Sequence, residues 1–415
     1  MKIEKIEINT NRHKVCVAQL GARMHYAVPR ILNNSSQLER LYTDIYAASY
    51  LKAFELLPKS LMPKGLKRLL GRIPDGIPSS QITSFPKFGL DYSRRLVKAR
   101  GVSEKNQHFL WAGKYFCDLI LRGGFGKASA IYTFNTASLE LLQAARMSGL
   151  FAVMEQTIAP HALERKILTA EHHTHPGWQE HVSEDLFATE IEERERNEWN
   201  NADLIICGSN FVKEGISKLG GPVEKCRVIP YGINSIYQAH ERRLKREPLK
   251  VLTVGEVGLR KGTPYILKAA QLLKDKINIR MVGQINVLPK AELELRKYIE
   301  LVGSIPRSEI HKQFLWADVF LLPSLCEGSA TVVYEALGFG LPVICTENTG
   351  SVVRNGIEGF IVEIQNGESI AEKLEKISND HYLYDFLSKN ARRRFEEYNF
   401  KNYSENIQNL FEIKI

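Results

Sequence analysis

The chain has 415 residues, 44% of them hydrophobic, enough to fill two cores, and domain-size statistics favour two domains over one. No apolar run reaches the roughly 18 residues of a membrane span, and Met1-Lys-Ile-Glu-Lys-Ile-Glu7 lacks a signal-peptide core, so the expected location is cytoplasmic, soluble or peripheral on the cytoplasmic face of a membrane. The formal charge of +9 is uneven, with 16 Lys or Arg against 6 Asp or Glu in residues 51–150 and 4 against 11 in residues 151–200; without a recognition-helix, zinc-finger or RNP-like pattern, an anionic membrane or anionic lipid-linked acceptor fits better than nucleic acid.

Residues 14–18 (Lys-Val-Cys-Val-Ala) read as a first strand, and Gly21 allows a tight turn after it. Residues 35–105, rich in Pro, Gly and Ser, read as irregular. Within them, Leu56–Ile73 mixes Leu, Ile and Met with five Lys or Arg, a composition suited to an anionic membrane surface and also common on soluble proteins. Strand and helix then alternate: strand 128–132, helix 136–148, strand 151–155, an acidic helix near 186–200, strand 203–207, helix 210–219 and strand 226–229. This rhythm implies parallel βαβ units. His161 reads as a loop residue after Pro160, and His172, His173 and His175, with His181, read as loop histidines without the spacing of a metal template.

The polar stretch 236–248 is the linker, separating a first domain (1–235) from a second (249–397). The second half repeats the rhythm with strand 249–254, helix 263–273, strand 277–282, a strand near 298–302 and helix 306–316. The last helices span about 380–396 and 401–412. The six cysteines are scattered, lack a Cys-x-x-Cys pair and lie mostly in apolar runs, so buried free thiols are expected.

The most informative segment is Val319–Thr346, which reads as strand, small-residue loop, helix, turn and strand. Glu327 falls at the carboxyl end of a buried strand, where open α/β sheets bind ligands. The amides after it, at a helix start, favour an anion such as a phosphate. Glu335 lies about two turns further and roughly 80° around the axis, so the two carboxylates should touch different parts of one extended ligand. Alone, a Glu at either place would be a helix cap or a solvated side chain. The surrounding pattern changes that reading.

Glu327-x7-Glu335 followed by Ala-Leu-x-x-Gly-Leu-Pro-Val-Ile resembles the signature of the retaining nucleotide-sugar glycosyltransferases of family four. Val251–Gly255 with Arg260-Lys261-Gly262 resembles that family's donor-phosphate turn, and Gly303-Ser304-Ile305-Pro306 its base-side loop. Ser209–Val212 and Ile229–Gly232 resemble the end of its first domain, so the likeness covers about residues 200–400. It implies the GT-B fold: α/β, two doubly wound Rossmann-like domains facing a central cleft, with a terminal helix (398–415) returning to the first domain.

The resemblance also implies roles. Arg260 and Lys261 would meet the charge that grows on a leaving pyrophosphate. Glu335 would bond the ribose hydroxyls and Glu327 the donor sugar, while Gly328, Ser329, Ala330 and Thr331 would offer amides to sugar and phosphate. Gly21, Gly255, Gly303, Ser304 and Ile305 complete the donor-binding set, and His161 would face the donor sugar, a place Glu155 could take instead. The partners are then a nucleotide-sugar donor and a glycan or lipid-linked acceptor, with no cofactor. No Asp-x-Asp pair occurs, so metal-free transfer is expected. Two departures stand out: Glu256 follows Gly255 where the family often has Arg, and Ala330 stands where it commonly has Gly. The rivals are a non-catalytic nucleotide-sugar or glycan-binding relative, a nucleotide-sugar epimerase, and a phosphorylase, whose pyridoxal lysine context is not apparent.

Overall fold

The computed structural model describes residues 13–47, 69–180, 184–233, 244 and 248–412. Most of the linker 236–248, all of the basic apolar segment 56–73 before Leu69, and His181 therefore lie outside the described residues. Tertiary contacts divide the chain into two compact units, Met1–Glu155 with Asp185–Ile206 and Ser404–Ile415, and Gln156–Glu184 with Cys207–Tyr403.

The first half builds a seven-stranded sheet from β1 (Val15–Gln19), β2 (Leu38–Thr43), β3 (Ile82–Ser84), β4 (Ala130–Phe134), β5 (Phe151–Gln156), β6 (Leu204–Cys207) and β7 (Cys226–Val228). Its order is β3-β2-β1-β4-β5-β6-β7, and the pairings from β3 through β5 are parallel. Every residue of β1 and β4 is buried, which is why both read as unbroken apolar runs rather than alternating ones. Connecting segments supply α1 (Ala27–Asn34), α2 (Pro86–Lys98), α3 (Gly101–Leu121), α4 (Leu139–Met147), α5 (His161–Thr174), α6 (Ala188–Asn201) and α7 (Asn210–Lys218).

Two expectations are corrected here. The stretch read as irregular contains β2, β3 and α2. Glu39 and Arg40 break the apolar run of β2, yet Arg40 is accommodated by donating to Thr83 Oγ1 of the neighbouring strand at 3.1 Å. In α2, Pro86 pre-sets the first turn and Phe88 is buried, while Arg95 stacks on Trp111 at 4.3 Å and so obscures the helical period. The second correction is α5. His161 opens this helix directly after Pro160, and His172 and His173 lie in its last turn rather than in a loop. Strong helix formers (Ala162, Leu163, Glu164, Lys166, Leu168, Ala170, Glu171) carry the helix through them.

The second half contains β8 (Leu249–Val254), β9 (Ile277–Val282), β10 (Ile299–Gly303), β11 (Val319–Leu322), β12 (Val343–Thr346) and β13 (Gly359–Val362) in the order β10-β9-β8-β11-β12-β13, parallel at every pairing. Its helices are α8 (Thr263–Leu272), α9 (Pro289–Leu295), α10 (Ile310–Trp316), α11 (Thr331–Gly338), α12 (Gly367–Asn379), α13 (His381–Glu397) and α14 (Phe400–Asn409). One core gathers Val251, Ile279, Val319, Leu321 and Ile344 from the strands with Ile266, Ile370, Leu374 and Leu387 from the helices. Burial of each such side chain contributes roughly 1.5–3 kcal/mol.

This is the doubly wound strand order, and the direction of winding reverses between the adjacent strands β8 and β11. Loops leaving the carboxyl ends of two such strands diverge and open a crevice. Residues after Val254 and after Leu322 are therefore placed to act together.

Candidate active site

The loop leaving β8 runs through Gly255 to a 3-10 turn at Leu259–Lys261 and enters α8 at Gly262. Gly262 is left-handed, with φ +71°, and a Cβ there would stand 2.2 Å from the carbonyl oxygen of Pro323. Only glycine lets the two switch-point loops approach this closely. Their closeness is reinforced where the Leu325 N–H donates to Arg260 O at 2.9 Å.

The approach brings Arg260, Lys261 and Glu327 together. Lys261 Nζ donates to Glu327 Oε1, Arg260 Nη2 lies 3.7 Å from Glu327 Oε2, and Arg260 Nε donates to the carbonyl of Cys326 at 2.9 Å. A further carboxylate, Glu164 on α5, has Oε1 3.4 Å from Arg260 Nε. Burial disfavours the Arg260 charge, but Glu164 and then Glu327 outweigh that and raise its pKa above the ordinary guanidinium value. Glu256, which stands where the family often has an arginine, is exposed and accepts from Asn286 Nδ2 at 3.1 Å.

Glu327 lies in the loop, because α11 starts at Thr331 with Ala330 as its cap. The helical angle of about 80° between Glu327 and Glu335 therefore does not apply. The two carboxylates nevertheless take separate partners. Glu335 accepts from Arg307, its side chain 12% exposed against 76% for the arginine. Burial lifts the Glu335 carboxyl above its ordinary value, and Arg307 opposes the lift without cancelling it. Arg307 follows the β10 loop, in which Gly303 has φ +78° and Ser304 is exposed.

The Glu327–Thr331 loop is held from several sides. The Glu327 N–H donates to Asn348 O at 3.0 Å and the Ala330 N–H to Thr349 O at 3.3 Å, so the Ala330 amide already has an acceptor. Ser209 caps α7 and donates its hydroxyl to Gly328 O at 2.5 Å, and Ser329 Oγ meets Tyr334 OH at 2.8 Å. Ala159, Phe211 and Cys326 form a small cluster beside Glu327, with Leu163 and Ile167 of α5 against it. His161 thus belongs to a segment whose neighbours Leu163 and Glu164 border Cys326 and Arg260.

Two further candidates, Gly21 and Glu155, belong to the first unit. The Gly21 N–H, at the carboxyl end of β1, donates to Asp44 Oδ1 at 3.0 Å, and Arg72 Nη1 reaches the other Asp44 oxygen at 2.7 Å. Glu155 is buried and accepts from Tyr132 OH at 2.6 Å. Among the described residues no group of three or more His, Cys, Asp or Glu is arranged to hold a metal ion. His173 instead bonds Thr169 O at 2.8 Å, and His175 faces Tyr265 OH at 3.0 Å. The sequence reading missed Glu164 and Arg307; Arg307 directly follows Pro306 of the base-side loop, a signal that could have found it.

Residues 238–394 match the family described as glycosyl transferases group 1. The chain is 27% identical over 193 residues to the amylovoran biosynthesis glycosyltransferase AmsK of Erwinia amylovora, covering 42% of the chain and 47% of the relative. It is 28% identical over 164 residues to the Escherichia coli UDP-Gal:alpha-D-GlcNAc-diphosphoundecaprenol alpha-1,3-galactosyltransferase, covering 36% and 42%. The chain thus spans about half the length of the curated relatives it matches. The crystal structure of Anabaena HepE in complex with UDP and glucose superposes with a TM-score of 0.61 and 14% identity over 96% of this chain and 99% of that one. The fold is GT-B, with two Rossmann-like domains.

Proposed function

We propose that the protein is a retaining, metal-independent glycosyltransferase that moves a hexose from a nucleoside-diphosphate sugar to a hydroxyl of a glycan or lipid-linked acceptor, in surface polysaccharide or glycolipid synthesis. The observation that carries this reading is the meeting of Arg260 and Lys261 with Glu327 at the β8–β11 switch point. Breaking a glycosidic bond to a diphosphate puts negative charge on the leaving oxygens, and two preorganised cations in a half-buried loop stabilise that charge more in the transition state than in the ground state. Glu327, paired with both cations, exchanges onto the donor sugar as the diphosphate takes its place. Glu335 accepts from the ribose hydroxyls, and the amides of Gly328, Ser329 and Thr331 hold phosphate and sugar. Gly255, Gly303, Ser304 and Ile305 frame the nucleotide, and His161 serves the sugar side. In a retaining displacement without an enzyme nucleophile, the acceptor hydroxyl attacks from the face the phosphate leaves and a phosphate oxygen takes its proton.

A lipid-linked acceptor calls for a membrane-facing surface. On α2, Lys87, Leu90, Arg94, Val97 and Lys98 are all exposed within an arc of about 100°, with Leu90 at 51% and Val97 at 75%. Three cations and two apolar side chains on one face suit an anionic bilayer, each basic residue contributing about 1 kcal/mol near the surface. Binding to anionic vesicles should weaken in K87Q/R94Q/K98Q, and equal partition into neutral and anionic vesicles would remove this part of the reading.

The main test is a panel of UDP-, GDP-, ADP- and dTDP-sugars assayed for slow hydrolysis and thermal protection without added metal. One donor should protect and be hydrolysed, with both effects lost in Glu335→Ala. If no donor does either, the transferase reading fails in favour of a non-catalytic relative.

A further inference from the structure

Residues Gln156–Glu184 precede the segment matched by the glycosyltransferase family, yet they pack within the second unit. They trace the loops of the candidate site in order. A Cβ on Gly328 would stand 2.1 Å from the carbonyl oxygen of Thr157. Glu164 faces Arg260 at 3.4 Å, and Glu171 accepts from Tyr265 OH, two residues into α8, at 3.0 Å. Gln179 accepts from the Leu259 N–H at 3.2 Å and donates to Asn286 O at 2.6 Å. This strap therefore holds both ends of the turn that carries Arg260 and Lys261.

Within that frame Arg260 stands between two carboxylates of unlike placement. Glu327 sits on the mobile-by-chemistry side, where it is shared with Lys261 and must give way to an incoming anion. Glu164 sits on α5, whose far end is fastened through Glu171 to Tyr265 and to Gln365 at 2.6 Å. We propose that Glu164 is a positioning residue: a fixed second counterion that shares Arg260 with Glu327, keeps that pair loose at 3.7 Å and leaves the guanidinium available to the diphosphate. This rests on the nucleotide-sugar reading. Without Glu164, Glu327 is the one carboxylate among the described residues left within ion-pair distance of Arg260, the pair tightens, and an arriving diphosphate has to break it.

The test is binding of inorganic pyrophosphate to the full chain by calorimetry at low salt, in a double-mutant cycle of Glu164→Gln and Glu327→Gln. E164Q should weaken binding about ten-fold, the scale of one charge-assisted hydrogen bond. E327Q should tighten binding, and in the E327Q background E164Q should change it by less than about two-fold, because the competitor is gone. A structural role alone would weaken both backgrounds equally, and a carboxylate that merely repels phosphate would make E164Q tighter; either result, or no change in E164Q, overturns the inference alone. Absence of pyrophosphate binding by the wild type overturns the nucleotide-sugar reading and the inference with it.

Discussion

Gly328→Ala is the most direct probe of how tightly the site loop is confined. Its new Cβ would lie 2.1 Å from Thr157 O and 3.0 Å from the Ile158 Cα, both backbone atoms that no rotamer change can move. A carbon needs about 3.3 Å from a carbonyl oxygen, so the loop and the strap must separate by roughly 1 Å. Retreat on the other side is blocked, because Ser209 Oγ bonds Gly328 O at 2.5 Å and a Cβ on Gly350 would stand 2.2 Å from that same oxygen. The strain should cost about 1–3 kcal/mol of stability, as overpacking does. The effect on chemistry should be larger, because a misplacement of about 1 Å at the residue after Glu327 can cost on the order of 100-fold in turnover. Hydrolysis of the donor found in the panel, measured beside thermal melting, separates the two effects. Wild-type turnover in a variant that melts like the wild type would refute the claim that the strap confines the Gly328 loop.

Other perturbations have defined signs. Burial raises the Glu335 carboxyl above 4.5 despite Arg307, so the stability linked to its protonated form is present at low pH and lost as pH rises through the folded value. Urea titrations should therefore show E335Q gaining on the wild type between pH 4 and pH 8, and a constant difference would contradict this. Y265F removes the hydroxyl that donates to Glu171 at 3.0 Å and faces His175 at 3.0 Å, and should lower unfolding free energy by about 1–3 kcal/mol; a loss below a few tenths would show that Gln365 and His175 suffice for Glu171. All six cysteines are free and buried, and burial pushes the Cys16 and Cys345 thiols up to about 12. Cys226 is instead lowered, chiefly by a hydrogen bond from Cys207. Disulfide-exchange reagent at pH 8 should thus modify Cys226 first in the native protein, and an unchanged fast phase in C226S would sink that assignment.

Much of the second half was legible because its physics is local. Strand 249–254 and strand 277–282 are observed with those bounds, since β8 is apolar but for Lys250 and Thr253, β9 alternates Ile277, Ile279 and Met281 with Asn278 and Arg280, and a glycine follows each. The nearness of Arg260, Lys261 and Glu327 could be anticipated because each follows a strand at the carboxyl edge of one sheet, so topology brings them together. Glu164 gave no such signal. Its partner lies 96 positions away on the difference of their numbers, 260 − 164, and α5 looks like any charged surface helix until its contacts are known. Likewise α2 hid behind Arg94 and Arg95, whose charges mask a helix anchored by the buried Phe88. Charged side chains that bury their stems or pair across the fold are where pattern reading loses the element.

The strap has a consequence for the order in which the chain can fold. By the unit boundaries, the chain changes unit four times, after Glu155, Glu184, Ile206 and Tyr403. Glu171 is fully buried, and one of its partners, Gln365, is 194 residues downstream. At about 5–20 residues per second of synthesis, Glu171 waits roughly 10–40 s on the ribosome before that partner exists. The His13 N–H waits longer still, because it donates to Phe411 O at 3.1 Å. Neither unit can close in the order it is translated, so the nascent chain must carry unpaired charge and uncovered apolar surface through most of its synthesis, and residues 238–394 released alone would lack the strap that completes them.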